Sequence, residues 1–409
     1  MNSGQETPAR FWRLDALRLA GVLAVVVQHA AVAYSAHVPW WYVRDPVKSA
    51  LADLILLVCD GATMPLLFAV AGYFALPSLG RRGLAGFLAG RARRLLVPLV
   101  GLTLFFCPII AYVDYRDKGG LDGFFAHWLA IAPTALDWRF MLFASADTAK
   151  ACQTLLWSFH LWFLAMLFVF CLVLAAARLA AGPGLTRRES RGGPSWGRIG
   201  WLALGVGLAA GFGQMACPDP AWARLGPFLV FQPTRLPLYA GFFLLGASVW
   251  KRGWSADHGL PGRPWVWGLA FCITLAAMAR TGGQAMQAWA AGAPAMPLSL
   301  AHGLARTAFA LAAIGLAAAL FGRVKAGSFW RRPDLSRTSF DLYLYHFPPV
   351  VVLQYWLCGT ALPVAAKFAV CAAVPVLVCL RASRLCGRRV WTRPMLVGLA
   401  FAGCSVFWG

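Results

Sequence analysis

Apolar stretches of about 17 to 25 residues follow one another from Leu14 almost to Gly409, and this leaves the chain few ways to fold. A helix rising about 1.5 Å per residue needs that length to cross about 30 Å of hydrocarbon. The chain is 60% hydrophobic, against about 45–50% in soluble domains. The expected fold class is all-α: a polytopic membrane protein with the lipid bilayer as its first partner.

Turns, Pro/Gly clusters and charges divide the chain into ten spans. They run roughly 14–36, 50–77, 95–113, 154–180, 199–216, 229–250, 264–280, 299–321, 338–357 and 362–381. A short eleventh stretch, 394–409, is long enough for part of a crossing. This gives a tail over 1–13, one transmembrane domain over 14–381 and a basic segment with the eleventh stretch over 382–409. The segments "FFAHWLAIAP" and "WRFMLFA" are too short to span and are expected on the outer interface. Ala31-Val32-Ala33 resembles a signal-peptide cleavage site, but Asp15 and Arg18 inside the run and the many later spans favour an uncleaved first span.

A net charge of +22 would point to nucleic acid in a soluble chain. Here the basic residues fill alternate gaps: Arg81 to Arg94, Arg187 to Arg198, Lys251 to Arg263, Arg323 to Arg337 and Arg381 to Arg393. The other gaps are acidic or bare. That alternation is the positive-inside pattern, with a cytoplasmic N-terminus and no nucleic-acid partner. The eleven cysteines form no C-x-x-C pair, so no metal site is expected. Tryptophans at span ends, Trp40 and Trp41 among them, read as an interfacial belt.

Ionisable groups inside spans are functional candidates by default. In the first span Arg18 and His29 are eleven residues apart, which puts them on one face, separated by about 16 Å along the axis. Asp15 lies one turn before Arg18, at pairing distance. Counting from span ends places His29, His160, Arg235 and Arg306 in the outer half and Asp60 near the centre. His346 falls in the inner half, below His29, and Arg91 and Arg94 lie one turn apart at the cytoplasmic mouth of the third span. Asp60 is expected either to orient His29 or to pair with Arg306. The plainer readings are topology signals for Arg91 and Arg94, a helix-carbonyl partner for His160 and an interfacial position for His302.

The opening "LDALR…H", "RARR…P", "HLWFL" and "YLYHFP" resemble the acyltransferase-3 family of integral membrane acyltransferases. "SFHLWFLAMLF" and "YAGFFLLGASVWKRG" look most like its branch of periplasmic glucan succinyltransferases. The resemblance implies an inner-membrane enzyme transferring an acyl group from cytoplasmic acyl-CoA, acetyl-CoA or succinyl-CoA, to a hydroxyl of an extracytoplasmic glycan or other envelope acceptor, with no bound cofactor. His29 corresponds to the family's catalytic histidine, and Arg18, Arg91 and Arg94 to donor-side arginines. Leu19, Ala71 and Asp341 depart from the usual pattern.

The chemistry agrees with the depths. A thioester is already activated, so the enzyme must orient it and take a proton from the acceptor hydroxyl, which an imidazole can do near neutral pH. Arginines grip phosphate bidentately and suit the CoA end. A transporter or flippase for a glycan or anionic lipid is the competing reading, although no inverted repeat or broken-helix pair is evident. Arg235 and Arg306 facing a single nearby acid, Asp60, lead to the expectation of a dicarboxylic acyl group or an anionic acceptor that offsets their charge.

Overall fold

The computed structural model describes residues 12–136, 144–146, 154–189, 196–253, 263–325, 328–331 and 335–385. The protein is all-α, as expected, and the described helices include several long apolar ones. They are α1 (Trp12–Val32), α2 (Ala50–Phe105), α3 (Pro108–Asp117), α4 (Phe124–Ile131), α5 (Trp162–Ala181) and α6 (Trp196–Ala216). Then come α7 (Leu236–Lys251), α8 (Pro264–Ala290), α9 (Met296–Phe321), α10 (Leu335–Tyr345), α11 (Phe347–Leu357) and α12 (Val364–Leu385). Three short antiparallel strands, β1 (Ala144–Ala146), β2 (Trp222–Leu225) and β3 (Leu229–Phe231), form one small sheet in that order. Among the described residues, seven helical segments are long and apolar enough to cross a bilayer. The stretch 394–409 lies outside the described residues.

The second and third expected spans both fall within α2, which is two helices joined at a kink. The basic run between them, read as a loop from its charge, stays helical because Leu, Ala and Arg are strong helix formers. The break falls at Gly83 alone, with φ +66°, a conformation that L side chains rarely adopt. The expected span 338–357 is instead two helices, α10 and α11, meeting at His346.

α2, α5 and α7 meet around Phe68, which is fully buried against Phe163 (ring centroids 4.7 Å), Tyr239 (5.0 Å) and Phe170 (5.2 Å). Small residues let α2 and α7 close on each other. A Cβ at Gly72 would collide with the carbonyl of Phe243, and one at Gly246 with that of Ala69. Such close approach of backbones is how helices associate in lipid, where burial of apolar surface gives no drive. Gly72→Val is therefore expected to destabilise the protein by at least about 1–3 kcal/mol through overpacking. Gly101→Ala, which meets open space, is the neutral control. Thermal unfolding in detergent compares the two, and equal midpoints would refute the tight crossing.

Beyond α1 the chain folds back over the helix end. Asp45 accepts from Lys367 at 2.7 Å, both side chains 2% exposed, and the Asp45 amide bonds to the carbonyl of Ala33 (3.1 Å). This clamp buries Trp41 and Tyr42 instead of leaving Trp41 in an interfacial belt.

Candidate active site

The local chemistry begins with "YLYHFPP". Pro348 and Pro349 have no N–H, so the α10 helix cannot continue its hydrogen-bond ladder past His346. The carbonyl of Leu344 loses its ladder donor, Pro348, and accepts instead from Nε2 of His160 at 3.2 Å. His346, with no exposed surface, turns its Nδ1 to the carbonyls of Leu342 and Tyr343, both at 2.9 Å. A carbonyl only accepts, so this nitrogen carries the proton, and the Nε2 of neutral His346 is an acceptor.

That acceptor lies 3.0 Å from Nδ1 of His29. Nδ1 of His29 therefore donates to it, and Nε2 of His29 keeps its lone pair. Nε2 has no partner among the described residues. The carbonyls of Leu342 and Tyr343 thus set the tautomer of His346, which sets that of His29, and the outcome is an imidazole base.

The three histidines form one cluster. His29 and His346 stack with ring centroids 5.3 Å apart, His160 stands edge-on to His346 at 5.3 Å, and Phe347 touches both His29 (4.3 Å) and His160 (4.9 Å). Counting from span ends puts His346 below His29; in the structure the two rings are in contact. The carbonyl partner expected for His160 is present. Its Nδ1 is buried and has no partner among the described residues. Phe159, just before it, is the only non-glycine described residue with positive φ, +41°. The strained turn is pinned by Ser158, which donates its amide to Pro227 (3.0 Å) and its hydroxyl to Phe228 (3.2 Å), and by the Tyr343 hydroxyl donating to the His160 carbonyl. With His346 Nδ1 and His160 Nε2 committed to carbonyls, the nitrogens do not converge as metal ligands would, and no metal-ligand cluster occurs among the described residues.

Two further residues hold the base. The amide of Gln354 on α11 donates to the carbonyls of His29 (2.8 Å) and Ala30 (3.2 Å) and accepts from the Trp41 indole (3.0 Å). Trp41 in turn lies 5.9 Å from the His29 ring. The signal in the sequence was a lone amide in the apolar helix "FPPVVVLQYWL".

At the other end of α1, Arg18 bonds Asp15 at 2.7 Å, as expected, and donates Nε to Ser339 on α10 at 3.0 Å. α1 and α10 thus run side by side in the same direction, joined at Arg18–Ser339 and again at His29–His346. Arg94 stacks over Phe340, next to Ser339, at 5.1 Å, and Arg91 over Phe87 at 5.3 Å. Neither makes a salt bridge among the described residues. Arg18 and Arg94 therefore converge on one turn of α10, two turns before the histidine that fixes the base.

The outer arginines behave differently from the sequence expectation. Arg235 bonds Asp60 (2.6 Å) and Asp219 (2.8 Å), and Arg306 bonds the same two carboxylates. Two cations meet two anions in a closed ring, and the excess of positive charge vanishes. Burial alone would raise the Asp219 carboxyl, but Arg235 and Arg306 hold it well below the usual carboxylate range. With their charge offset by Asp60 and Asp219, Arg235 and Arg306 do not call for a dicarboxylic acyl group or an anionic acceptor. Asp60 pairs with Arg306, one of its two expected roles, and makes no bond to His29. His302, read as interfacial, is buried beside this ring and meets Thr281 at 3.1 Å. His302 lines a cavity of about 310 Å³ together with Asp60, Asp219 and Arg306.

Comparison with known families gives one match: the Acyltransferase domain of the acyltransferase-3 family, over residues 11–384. No curated protein and no solved structure matches the chain.

Proposed function

This chain belongs to the acyltransferase-3 family and is a membrane acyltransferase, and on that premise we propose the reaction and its sidedness. The donor is acyl-CoA, acetyl-CoA or succinyl-CoA, reaching the protein from the cytoplasm. The acceptor is a hydroxyl of an extracytoplasmic glycan or other envelope molecule. The enzyme sits in the inner membrane with its N-terminus in the cytoplasm, in agreement with the alternation of basic gaps. The observation that carries the reading is the backbone-locked His346, which leaves Nε2 of His29 as a base.

In the reaction, Nε2 of His29 takes the proton of the acceptor hydroxyl while its oxygen attacks the thioester carbonyl. The C–O bond forms, the tetrahedral intermediate collapses, and the C–S bond breaks with the electron pair leaving on sulfur. The imidazolium returns its proton to the thiolate, releasing CoA. Throughout, Nδ1–H of His29 donates to His346, which steadies the ring in both charge states, a task carboxylates perform in hydrolase triads. Arg18, Arg91 and Arg94 bind the phosphates of CoA.

Purified protein in detergent, given acyl-CoA and a glycan acceptor, is expected to release free thiol without any gradient. A transporter would not, and absence of turnover over a panel of donors and acceptors would overturn the enzyme reading. The donor end has its own test. Arg91→Gln with Arg94→Gln removes two charge-assisted contacts of about 1.5–3 kcal/mol each at most. It is expected to raise KM for acyl-CoA at least tenfold, roughly 1.4 kcal/mol, and to leave acceptor KM unchanged. An unaltered acyl-CoA KM would return the pair to a topology role.

A further inference from the structure

A second cavity, of about 350 Å³, opens at the end of the bundle that carries the start of α1. Its mouth is marked by Arg13, Trp196, Trp267 and Phe321, which lie at the corresponding ends of α1, α6, α8 and α9. Along α9 the lining runs from Phe321 back to Leu311, ten residues or about 15 Å of depth. Leu17, Leu66 and Val70 form the deep wall, a small apolar cluster separate from the main core. The outer wall includes α8, a 27-residue helix with only Met278 and Ala285 buried, so the cleft lies at the edge of the bundle, where bilayer lipid reaches it.

The cleft is separate from the histidine site. On α1 it uses Arg13, Leu14 and Leu17, about 100° round the helix from the face of Arg18 and His29. Its mouth is cationic: Arg13 and Arg331 both lie over the Trp12 ring, at 5.5 and 4.4 Å. Arg331 follows Trp330, whose ring touches Phe321 (5.1 Å). The indole N–H of Trp267 is buried without an acceptor among the described residues.

We propose that this cleft is a binding site for one anionic glycerophospholipid. An acyl chain fills the apolar slot, and the phosphate meets Arg13 and Arg331. Basic mouths between transmembrane helices select anionic head groups, and tryptophans belong at that level of the bilayer. A choline head would bring its own positive charge to two guanidiniums, so the site discriminates by charge. The proposal does not depend on the acyl-transfer reaction.

Native mass spectrometry of delipidated full-length protein, titrated with palmitoyl-oleoyl phosphatidylglycerol or phosphatidylcholine, tests it. One phosphatidylglycerol is expected to be retained at least about tenfold more tightly than phosphatidylcholine. Arg13→Gln with Arg331→Gln should bring the two lipids within about threefold. Ala318→Trp, which fills the slot, should abolish retention of the single lipid. Equal binding of the two lipids by the unaltered protein would overturn the proposal, as would an unchanged preference in the arginine variant. Displacement of phosphatidylglycerol by palmitoyl-CoA, with no displacement by CoA alone, would also overturn it by assigning the slot to the chain of a donor. If Ala318→Trp fails to fold, the arginine variant and the competition decide.

Discussion

His29→Ala is expected to lower acyl transfer about 10²- to 10⁴-fold, the usual contribution of a positioned general base. The folded yield and the thermal unfolding midpoint should stay near those of the unaltered protein. His29 is only partly buried, and among the described residues its one side-chain hydrogen bond is to His346. His346→Phe tests the relay itself, because it removes the acceptor that orients Nδ1–H of His29. It is expected to slow the reaction at least about tenfold, and the double variant should be no slower than His29→Ala alone, since groups acting as a unit are not additive. Initial rates of CoA release with a saturating donor measure all three. Activity within about threefold of the unaltered protein in His29→Ala would remove it as the base. Multiplying effects in the double variant would separate His346 from His29.

Much of this site was legible because a helix is periodic. Asp15, Arg18 and His29 fall on one face by counting alone, and the structure lays that face along α10. What counting missed is what a straight span leaves out. Pro348 and Pro349 break the ladder after His346, and the carbonyl of Leu344, freed by Pro348, holds His160, a contact that a count along an unbroken 338–357 helix does not give. Asp219 was missed for another reason. It lies between α6 and β2, outside any apolar run, and a search confined to spans left Arg235 and Arg306 with one acid too few. Trp41 and Gln354 meet across 313 residues of chain, a contact set by the loop that the Lys367–Asp45 pair clamps down. The basic run at Arg81 to Arg94 contains the break at Gly83 but is helical on both sides of it, because charge reports topology whereas backbone preference there favours helix.

Asp219→Asn should be among the most destabilising single changes in this protein. The variant leaves Arg235 and Arg306, 9% and 7% exposed, to share the single carboxylate of Asp60. Breaking a buried pair by removing one partner costs about 3–5 kcal/mol, because a desolvated charge is stranded. Adding Arg306→Gln removes the stranded charge and is expected to restore much of the loss, whereas a simple packing defect at position 219 would persist in the double variant. The pH dependence follows from the same geometry. The folded Asp219 carboxyl is held below its unfolded value of about 3.9, so its contribution is fully present above that pH and is lost only as pH falls further. Thermal unfolding between pH 8 and pH 5 should therefore show no change attributable to this ring, and the penalty of Asp219→Asn should be constant over that range. A midpoint for Asp219→Asn equal to that of the unaltered protein would show that the ring contributes nothing to the fold, and a penalty that vanishes by pH 5 would show that Asp219 is not held ionised by its two arginines.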